Sequence, residues 1–448
     1  MKAPICDFVK KYCADGALRL HMPGHKGACF LGVEQRDITE VEGADVLYSE
    51  GNGIIAESEC NASSLFGTKK TLYSTEGSSL CIRAMVYLCA MRAKELGRET
   101  LILAARNAHK TFLSAVALLD ARVEWLFSHD DEGIVSCRVS AEALEKKLCE
   151  MEEKPVVVYV TSPDYLGNVA DIRSLAEVCH RHGVILAVDN AHGAYLKFLP
   201  ESRHPIDLDA DICCDSAHKT LPVLTGGAYL HISRRAPELF SEMAEQAMQL
   251  FASTSPSYLI LQSLDIANLY ICDGYREKLA EICGEIASLK KVLVEKGFCV
   301  IGDEPTKLAL ATKGYGYYGH EIAEMLLQKG IACEFSDPDY VVMMFTPEID
   351  RGGIKLLLDA LCSIEKREEI LERAPSVAGA ERVMSVRQAL MSSSREVAVE
   401  DACGEVLASA TVSCPPAIPI VVCGERIDEH AIACFKYYGI EKCRVVKR

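Results

Sequence analysis

Short apolar runs alternate with longer amphipathic stretches over the first two thirds of the chain. The runs hold five or six residues each and lie at 101–105, 123–127, 156–161, 184–189, 211–215 and 227–232. Stretches of helical length and period separate most of them, such as residues 77–97. Because strands buried on both faces of a parallel sheet are apolar throughout, this alternation predicts a mostly parallel sheet covered by helices.

A different pattern follows residue 300. Predicted strands at 308–313 and 341–346 flank a predicted helix at 319–329, which is typical of a compact α+β domain. The first fifty residues hold only short amphipathic pieces interrupted by glycine-containing turns. We therefore expect an N-terminal arm at 1–60, a large α/β domain at 61–300 and a small C-terminal α+β domain at 301–448.

Composition and charge narrow the class of function. The 448 residues carry a formal net charge of −16, and nucleic-acid binding needs basic patches, so we expect no nucleic-acid partner. The first residues, MKAPICDFVKKYC, lack the apolar core of a signal peptide, and no apolar run approaches the roughly 18 residues of a membrane span. The 21 cysteines include no CxxC pair and no metal-ligand spacing. We expect reduced thiols, a cytoplasmic location, and neither a metal site nor a membrane partner.

The stretch DSAHKT at 215–220 places a lysine at the end of an apolar run, where an amine is costly to bury unless it is paired or used. Another run, VILAVD, ends in Asp189. Ligands gather at the carboxyl ends of strands in an open α/β sheet, so we expect Lys219 and Asp189 to face one crevice. An amine and a carboxylate there suit pyridoxal phosphate, as the imine-forming lysine and the partner of the pyridine nitrogen. The spacing also fits an ordinary strand-end salt bridge.

Three further loops are expected at this crevice. TEGSS at 75–79 opens a long helix, and its N–H groups and hydroxyls suit a phosphate, although a plain N-cap explains it as well. His109 follows the run at 101–105 and could stack on a pyridine ring, whereas most single histidines are ordinary polar residues. TSPDYLG at 161–167 adds a turn beside the same crevice.

Seven motifs occur in order along the chain: HMPGHKG, RNAHKT, TSPDYLGNVADI, VDNAHGAY, SAHKT, TSPSYLILQSLD and CPPAIPIVVCGERI. Together they resemble the ornithine/lysine/arginine decarboxylase family of fold-type I pyridoxal-phosphate enzymes. The resemblance runs from about residue 18 to the C-terminus, and the ordered set is specific although each motif alone is weak. It implies an α/β fold-type I large domain with a mostly parallel sheet, and the compact form of the family without an N-terminal wing domain.

The resemblance implies roles for single residues. Lys219 matches the lysine that forms a Schiff base with the cofactor, and Asp189 matches the partner of the pyridine nitrogen. His109 matches the histidine that stacks on the ring. The other cofactor-binding positions are Ser78, Ser79, Ser216 and His218 for the phosphate, Ala191 beneath the ring and His192 near the reacting centre. Residues 253–255 match a segment that reaches the cofactor across a dimer interface.

The implied reaction is the decarboxylation of a basic amino acid (arginine, lysine or ornithine) to an amine and CO2, as in polyamine biosynthesis. Lys219, Asp189 and His192 are the expected catalytic residues, and either Lys219 or a nearby histidine returns a proton to Cα. Glu334 and Asp337 match acidic positions that would bind the distal cation of the substrate, although surface charge on a loop explains them equally well. A homodimer or a higher homo-oligomer is also implied.

Several positions depart from the family pattern. Glu76 stands where an uncharged residue is common, and a carboxylate near a phosphate is unfavourable unless it points away or is paired. Asp164 replaces a common threonine, and Ala417 replaces a common glycine. Residues 225–229 lack the polar side chains usual after the lysine. These departures put the substrate, and full activity, in question.

Two alternatives stay open. Another pyridoxal-phosphate reaction, such as transamination or aldol-type cleavage, would use the same lysine. The stretch PTKLALATK lacks the arginine with which aminotransferases of this fold bind the substrate carboxylate, which favours decarboxylation. The second alternative is a catalytically weak, cofactor-binding regulatory homologue, and the presence of Lys219 and Asp189 argues against it.

Overall fold

The computed structural model describes residues 1–49, 51–127, 138–375, 379–410 and 419–447. By its internal contacts the chain divides into two compact units, each assembled from three segments. The first unit comprises Met1–Ile102, Glu150–Val160 and Ile172–Arg276, and the second comprises Leu103–Cys149, Thr161–Asp171 and Glu277–Arg448.

The described residues form fourteen α-helices and four short 3-10 helices. The α-helices are α1 (Pro4–Ala14), α2 (Ile54–Phe66), α3 (Gly77–Glu95), α4 (Lys110–Leu119), α5 (Ala141–Glu150), α6 (Ile172–Arg181), α7 (Ala217–Thr220), α8 (Glu238–Gln249), α9 (Tyr258–Cys272), α10 (Tyr275–Glu295), α11 (Gly319–Leu327), α12 (Arg351–Cys362), α13 (Val386–Leu390) and α14 (Glu429–Tyr437). The 3-10 helices are Ala194–Phe198, Pro205–Leu208, Lys313–Tyr315 and Val399–Asp401. Within the described ranges, every helix falls short of the length or apolar character that a membrane crossing requires.

Thirteen strands form three sheets in the described residues. The strands are β1 (Lys70–Ser74), β2 (Leu101–Ala105), β3 (Arg122–Leu126), β4 (Val157–Thr161), β5 (Ile185–Asp189), β6 (Ile212–Asp215), β7 (Ala228–Ile232), β8 (Cys299–Ile301), β9 (Lys307–Ala311), β10 (Phe335–Ser336), β11 (Tyr340–Met344), β12 (Ser394–Ala398) and β13 (Lys442–Val446). The largest sheet has seven strands in the order β1-β7-β6-β5-β4-β2-β3. The predicted α/β fold with a mostly parallel sheet is confirmed.

The strand pairing in the first unit decides where the strand ends meet. β5 and β6 are parallel neighbours, and their register sets Asp189 beside Cys214. β7 runs antiparallel to both β6 and β1. Every residue of β5, β6 and β7 is buried, which explains why the sequence reads as apolar runs there rather than as an alternation.

Helix α3 covers this sheet in the first unit. It packs against β6, β7 and α8, and nine of its nineteen residues are buried. It begins at Gly77, whose φ of +69° is in the left-handed region, directly after the turn that follows β1. That conformation favours glycine, and the helix N-terminus is thereby fixed close to the end of the strand.

The second unit holds an antiparallel sheet with the order β10-β11-β9-β8. The predicted strands at 308–313 and 341–346 correspond to β9 and β11, and the predicted helix at 319–329 corresponds to α11. Leu166, Ala309, Phe335 and Val342 form a buried apolar cluster on this sheet. The antiparallel pair β12-β13 and helix α14 follow toward the C-terminus.

Candidate active site

The carboxylate of Asp189 ends strand β5 and is 2% exposed. Its oxygens accept hydrogen bonds from the hydroxyl of Tyr159 (3.3 Å), the backbone N–H of Ala191 (3.2 Å) and the thiol of Cys214 (3.6 Å). Burial, reinforced by the charge of Asp189, raises the pKa of Tyr159 and of Cys214 well above their usual values, so both keep their protons and donate.

In the described part of the chain, no lysine, arginine or histidine forms an ion pair with Asp189. A buried carboxylate without a cation is expensive, because its desolvation is not offset by an opposite charge. The arrangement therefore fits a ligand that brings its own positive N–H group to this strand end. A protonated pyridine nitrogen is such a group.

Lys219 lies on the single turn α7, which follows β6. Its Nζ is 3.0 Å from Nε2 of His192, a residue that is 7% exposed. The structure thus brings together two side chains that the sequence placed 27 positions apart. Because the lysine amine and the imidazole share a hydrogen bond, a proton can be held between them.

The turn before α3 offers donors for a phosphate. The hydroxyl of Ser216, at the start of α7, donates to Oγ of Ser78 at 2.7 Å, so two of the predicted phosphate-binding residues are in contact. Ser79 lies next to Ser78 in the first turn of this 19-residue helix. Hydroxyls beside the positive end of a helix suit an anion, and the residues present therefore fit the phosphate of pyridoxal phosphate.

His218 has a different environment from the one expected. Its Nδ1 is 3.0 Å from the carbonyl oxygen of Gly227, and the backbone N–H of His218 donates to the same oxygen at 3.1 Å. Because a carbonyl only accepts, Nδ1 carries the proton. Burial lowers the pKa of His218, so the ring is neutral and the Nε2 atom has a lone pair. Its predicted contact with phosphate stays a prediction and would have to use Nε2.

The unusual Glu76 is paired. Its Oε1 accepts a hydrogen bond from the backbone N–H of Ser253 at 2.6 Å, and Oγ of Ser253 accepts one from the N–H of Ser255 at 3.1 Å. The carboxylate thus anchors the segment 253–255 of its own chain next to the start of α3. Sequence reasoning singled out both stretches but had no means of joining them.

His109 belongs to the second unit and is the N-cap of α4. Its Nδ1 accepts a hydrogen bond from the backbone N–H of Thr111 at 3.2 Å and lies 3.0 Å from the threonine hydroxyl. A neutral ring must therefore carry its proton on Nε2. Its stacking on the cofactor stays a prediction.

The two predicted substrate-binding acids occupy different settings in the second unit. Glu334 is exposed and accepts a hydrogen bond from the hydroxyl of Tyr165 at 3.0 Å. Asp337 is buried, and its Oδ1 accepts from the backbone N–H groups of Asp339 (2.8 Å) and Tyr340 (2.7 Å). Burial raises the pKa of Asp337 to about 6. Asp337 thus holds the turn between β10 and β11, a role that the sequence did not indicate.

The departure at Asp164 also has a local explanation. Its carboxylate accepts the backbone N–H of Asn168 at 2.9 Å and the side-chain amide of Asn168 at 2.7 Å. The residue therefore closes the turn of TSPDYLGN, where a threonine would offer one oxygen instead of two. The departure at Ala417 lies outside the described residues.

Comparison with known proteins gives the chain its relatives. Residues 3–302 match the family model of the Orn/Lys/Arg decarboxylase major domain, and residues 369–442 match the model of the Orn/Lys/Arg decarboxylase C-terminal domain. An arginine decarboxylase of Bacillus subtilis is 27% identical over 96% of this chain and 92% of its own length. An arginine decarboxylase of Halalkalibacterium halodurans is also 27% identical, over 96% of this chain and 92% of its own length.

Solved structures show the same fold. Lysine decarboxylase A from Pseudomonas aeruginosa has a TM-score of 0.81 at 18% identity, covering 99% of this chain and 80% of that chain. The constitutive lysine decarboxylase of E. coli has a TM-score of 0.80 at 17% identity, covering 100% of this chain and 82% of that one. At these identities the likeness is one of fold.

Proposed function

The chain belongs to the Orn/Lys/Arg decarboxylase family of pyridoxal-phosphate-dependent enzymes, and on that premise we propose that it removes the α-carboxylate of arginine, lysine or ornithine as CO2. The observation that carries the proposal is Asp189, a buried carboxylate with no cation among the described residues, on a strand paired with the one that leads to Lys219. Full-length relatives named arginine decarboxylase support a basic amino acid as the substrate.

The cofactor is proposed to bind through residues of three loops. Lys219 is the covalent attachment point for the aldehyde, and Asp189 accepts the pyridine N–H. The phosphate is bound at the start of α3, where the hydroxyls of Ser78 and Ser216 already touch. The proposed remaining contacts are Ser79 and His218 at the phosphate, Ala191 beneath the ring and His109 stacked upon it. When bound, the protonated ring withdraws electrons from the bond between Cα and the carboxylate.

The hydrogen bond between Lys219 and His192 supports their proposed part in proton transfer. Loss of CO2 leaves an electron pair at Cα, and formation of the amine product requires one proton there. The pair holds a proton at 3.0 Å between Nζ and Nε2, and His192 is largely shielded from solvent. Either atom is thus placed to hold a proton for a reacting centre at the end of β6.

A carboxylate is proposed to recognise the distal cation of the substrate. Glu334 is the better candidate of the two, because its carboxylate is exposed and accepts a single neutral donor, Tyr165, among its described hydrogen bonds. Asp337 is the weaker candidate, since its Oδ1 is engaged by two backbone N–H groups.

We also propose that the enzyme is a homodimer of the cytoplasm. Large apolar side chains in the N-terminal segment are exposed, including Leu18, Leu20, Phe30 and Leu31, each more than three-quarters accessible. Several large apolar side chains left exposed within one short segment are typical of an interface. Across the described ranges every cysteine is a free thiol, which supports a reducing compartment.

Release of CO2 tests the proposed reaction. The purified enzyme, loaded with pyridoxal phosphate, is given carboxyl-labelled arginine, lysine and ornithine in turn, and labelled CO2 is measured beside keto acid. We expect CO2 from at least one substrate without keto acid. Borohydride reduction followed by peptide mapping should place the cofactor on Lys219. Lys219→Ala should abolish both the covalent attachment of the cofactor and the release of CO2. Keto acid as the main product would indicate transamination, and no product from any of the three would indicate a regulatory homologue.

A further inference from the structure

Three ionisable side chains meet in the core of the first unit, behind the strand ends. Oδ2 of Asp215 lies 3.0 Å from Nε2 of His204 and 3.2 Å from Nε2 of His231. All three side chains are fully buried. Burying such groups is costly, so an arrangement of this kind requires either complete hydrogen bonding or a use.

The hydrogen bonds define the protonation of the cluster. The backbone N–H of Ile206 donates to Nδ1 of His204 at 3.4 Å, so Nδ1 is an acceptor and the proton lies on Nε2, facing Asp215. Burial lowers the pKa of His231, so its ring is neutral. Because the carboxylate of Asp215 only accepts, Nε2 of His231 carries the proton, and Nδ1 accepts from the hydroxyl of Thr71, 2.9 Å away. Burial alone would raise the pKa of Asp215, but the two histidines hold it well below its usual range.

This protonation pattern argues against a metal ion at the cluster. A histidine binds a metal through a nitrogen lone pair. His204 directs Nε2–H, and no lone pair, toward Asp215, because its other ring nitrogen is engaged by a backbone donor. The three side chains are instead a carboxylate held between two neutral imidazole donors.

A third donor connects the cluster to the strand that carries Asp189. The side-chain amide of Asn190 donates to Oδ1 of Asp215 at 2.6 Å, and its backbone N–H donates to the carbonyl of Cys214 at 3.0 Å. A Cβ atom on Gly193 would lie 2.0 Å from Oδ1 of Asn190, so the turn VDNAHG closes around this amide only with glycine there.

The two strand-end carboxylates point to opposite faces of the sheet. Asp189 is level with Cys214 in the β5–β6 register, and side chains alternate along a strand, so Asp215 projects to the other face. Asp215 immediately precedes Ser216 and lies four positions before Lys219. On the face opposite Asp189, the carboxylate of Asp215 thus accepts a hydrogen bond from Asn190, the residue that follows Asp189.

We propose that Asp215 is a positioning residue, whose three hydrogen bonds fix the ends of β5 and β6 so that Asp189 and Lys219 engage the cofactor together. The inference rests on the proposed function, from which it takes the roles of Asp189 and Lys219. A carboxylate is required because all three partners are donors and a carboxylate only accepts. An asparagine at 215 would turn an N–H group toward one of them, and the amide of Asn190 would have to turn over to compensate.

The experiment measures cofactor binding rather than turnover. Apoenzyme is titrated with pyridoxal phosphate, and the dissociation constant and the absorption spectrum of the bound cofactor are recorded without substrate. Asp215→Asn should weaken binding at least tenfold and alter the spectrum. Asp265→Asn is the matched control: Asp265 is a fully buried carboxylate on helix α9 of the same unit, and it accepts hydrogen bonds from the hydroxyl of Ser58 and from the backbone N–H of Cys6. It should change the dissociation constant less than threefold.

Asn190→Ala provides a second variant in case Asp215→Asn does not fold. It removes the side-chain hydrogen bond between Asn190 and Asp215 while leaving the two histidine donors, and it should weaken cofactor binding in the same direction. In the double variant the two losses should be less than additive, because both single variants disturb the hydrogen bond between Asn190 and Asp215.

A dissociation constant within threefold of wild type in the folded variants would overturn the proposal, as would an equal loss in Asp265→Asn. The outcome is distinguishable from failure of the proposed function. If the wild-type enzyme binds the cofactor but releases no CO2, the proposed function is wrong. The dissociation constants of the variants for pyridoxal phosphate then still test the role of Asp215. If the wild-type enzyme binds no pyridoxal phosphate, both fall.

Discussion

The guanidinium of Arg106 makes two hydrogen bonds to the carboxylate of Glu425, at 2.7 and 2.6 Å. The two residues are 319 positions apart and belong to two motifs of the sequence, RNAHKT and CGERI. Arg106 is 1% exposed, with the rings of Trp125 and Phe127 at 5.1 and 5.5 Å. The ion pair therefore ties the loop that carries His109 to the C-terminal segment of the same unit.

Glu425→Gln should destabilise the enzyme by about 3 kcal/mol, because it leaves the buried guanidinium without its counter-charge. Denaturant unfolding, followed by the fluorescence of Trp125, measures the loss, and this residue is the single tryptophan of the chain. Glu381→Gln is the control, since its exposed pair with Arg426 is worth less than about 1 kcal/mol. An equal loss of the free energy of unfolding in the two variants would show that the buried ion pair contributes no more to stability than the exposed one.

Glu76 should act through its hydrogen bond and not through its charge. Glu76→Gln keeps an oxygen acceptor for the N–H of Ser253, so we expect cofactor affinity within about twofold of wild type. Glu76→Ala removes the acceptor, frees segment 253–255, and should weaken cofactor binding about fivefold, the equivalent of one hydrogen bond. Titration of the apoenzyme measures both. Tighter binding in both variants would show that charge repulsion dominates.

Replacing Asp189 should have opposite effects on the apoenzyme and on catalysis. Asp189→Asn removes a buried charge that no cation balances in the described residues, so the apoenzyme should be as stable as wild type or more stable by about 1 kcal/mol. Turnover should fall at least a hundredfold, and the thermal shift produced by pyridoxal phosphate should shrink. Asp211→Asn, a buried carboxylate that precedes β6 and pairs with His180, is the control and should retain that shift. A destabilised Asp189→Asn apoenzyme would contradict the interpretation that the charge of Asp189 is unbalanced until the cofactor binds.

Glu334→Gln should raise the KM for a basic amino acid about tenfold and leave cofactor affinity unchanged, because it removes a charge and not a cofactor contact. Tyr165→Phe removes the hydrogen bond to Glu334 but keeps its carboxylate, and should change KM little. Steady-state kinetics with the preferred substrate distinguishes the two. A cofactor affinity that falls together with KM would refute the substrate role.

Asp337 should make stability depend on pH. Its pKa is raised to about 6 by burial, from a usual value of 3.8, so the folded state binds the proton more tightly than the unfolded state. This contribution is fully present below about pH 4 and is lost as pH rises through about 6, up to about 3 kcal/mol. Asp337→Asn keeps an oxygen for the turn, so it should gain stability relative to wild type between pH 4.5 and 7.5. Thermal unfolding across that pH range measures the difference in stability between the variant and wild type. If the two stabilities changed with pH in parallel, the predicted role of Asp337 would be wrong.

The local pattern of the chain was sufficient to predict most elements. The apolar run 101–105 is strand β2, and the run 184–189 contains β5, because residues buried on both sides of a sheet must be apolar whatever their neighbours are. Asp189 and the segment before Lys219 end the paired strands β5 and β6, as the expectation of one shared crevice requires. The motifs also identified the family, since their order is a property of the chain alone.

The hydrogen-bond partners of the site were decided by tertiary structure. Glu76 and Ser253, Asp215 and His231, and Arg106 and Glu425 are separated by 177, 16 and 319 positions. Periodicity and propensity act over a few residues, whereas these contacts depend on strand order and on which face each side chain occupies. The local sequence around an aspartate that follows an apolar run therefore does not show its environment. It does not distinguish an aspartate that faces a cofactor, as proposed for Asp189, from one that faces two buried histidines, as at Asp215.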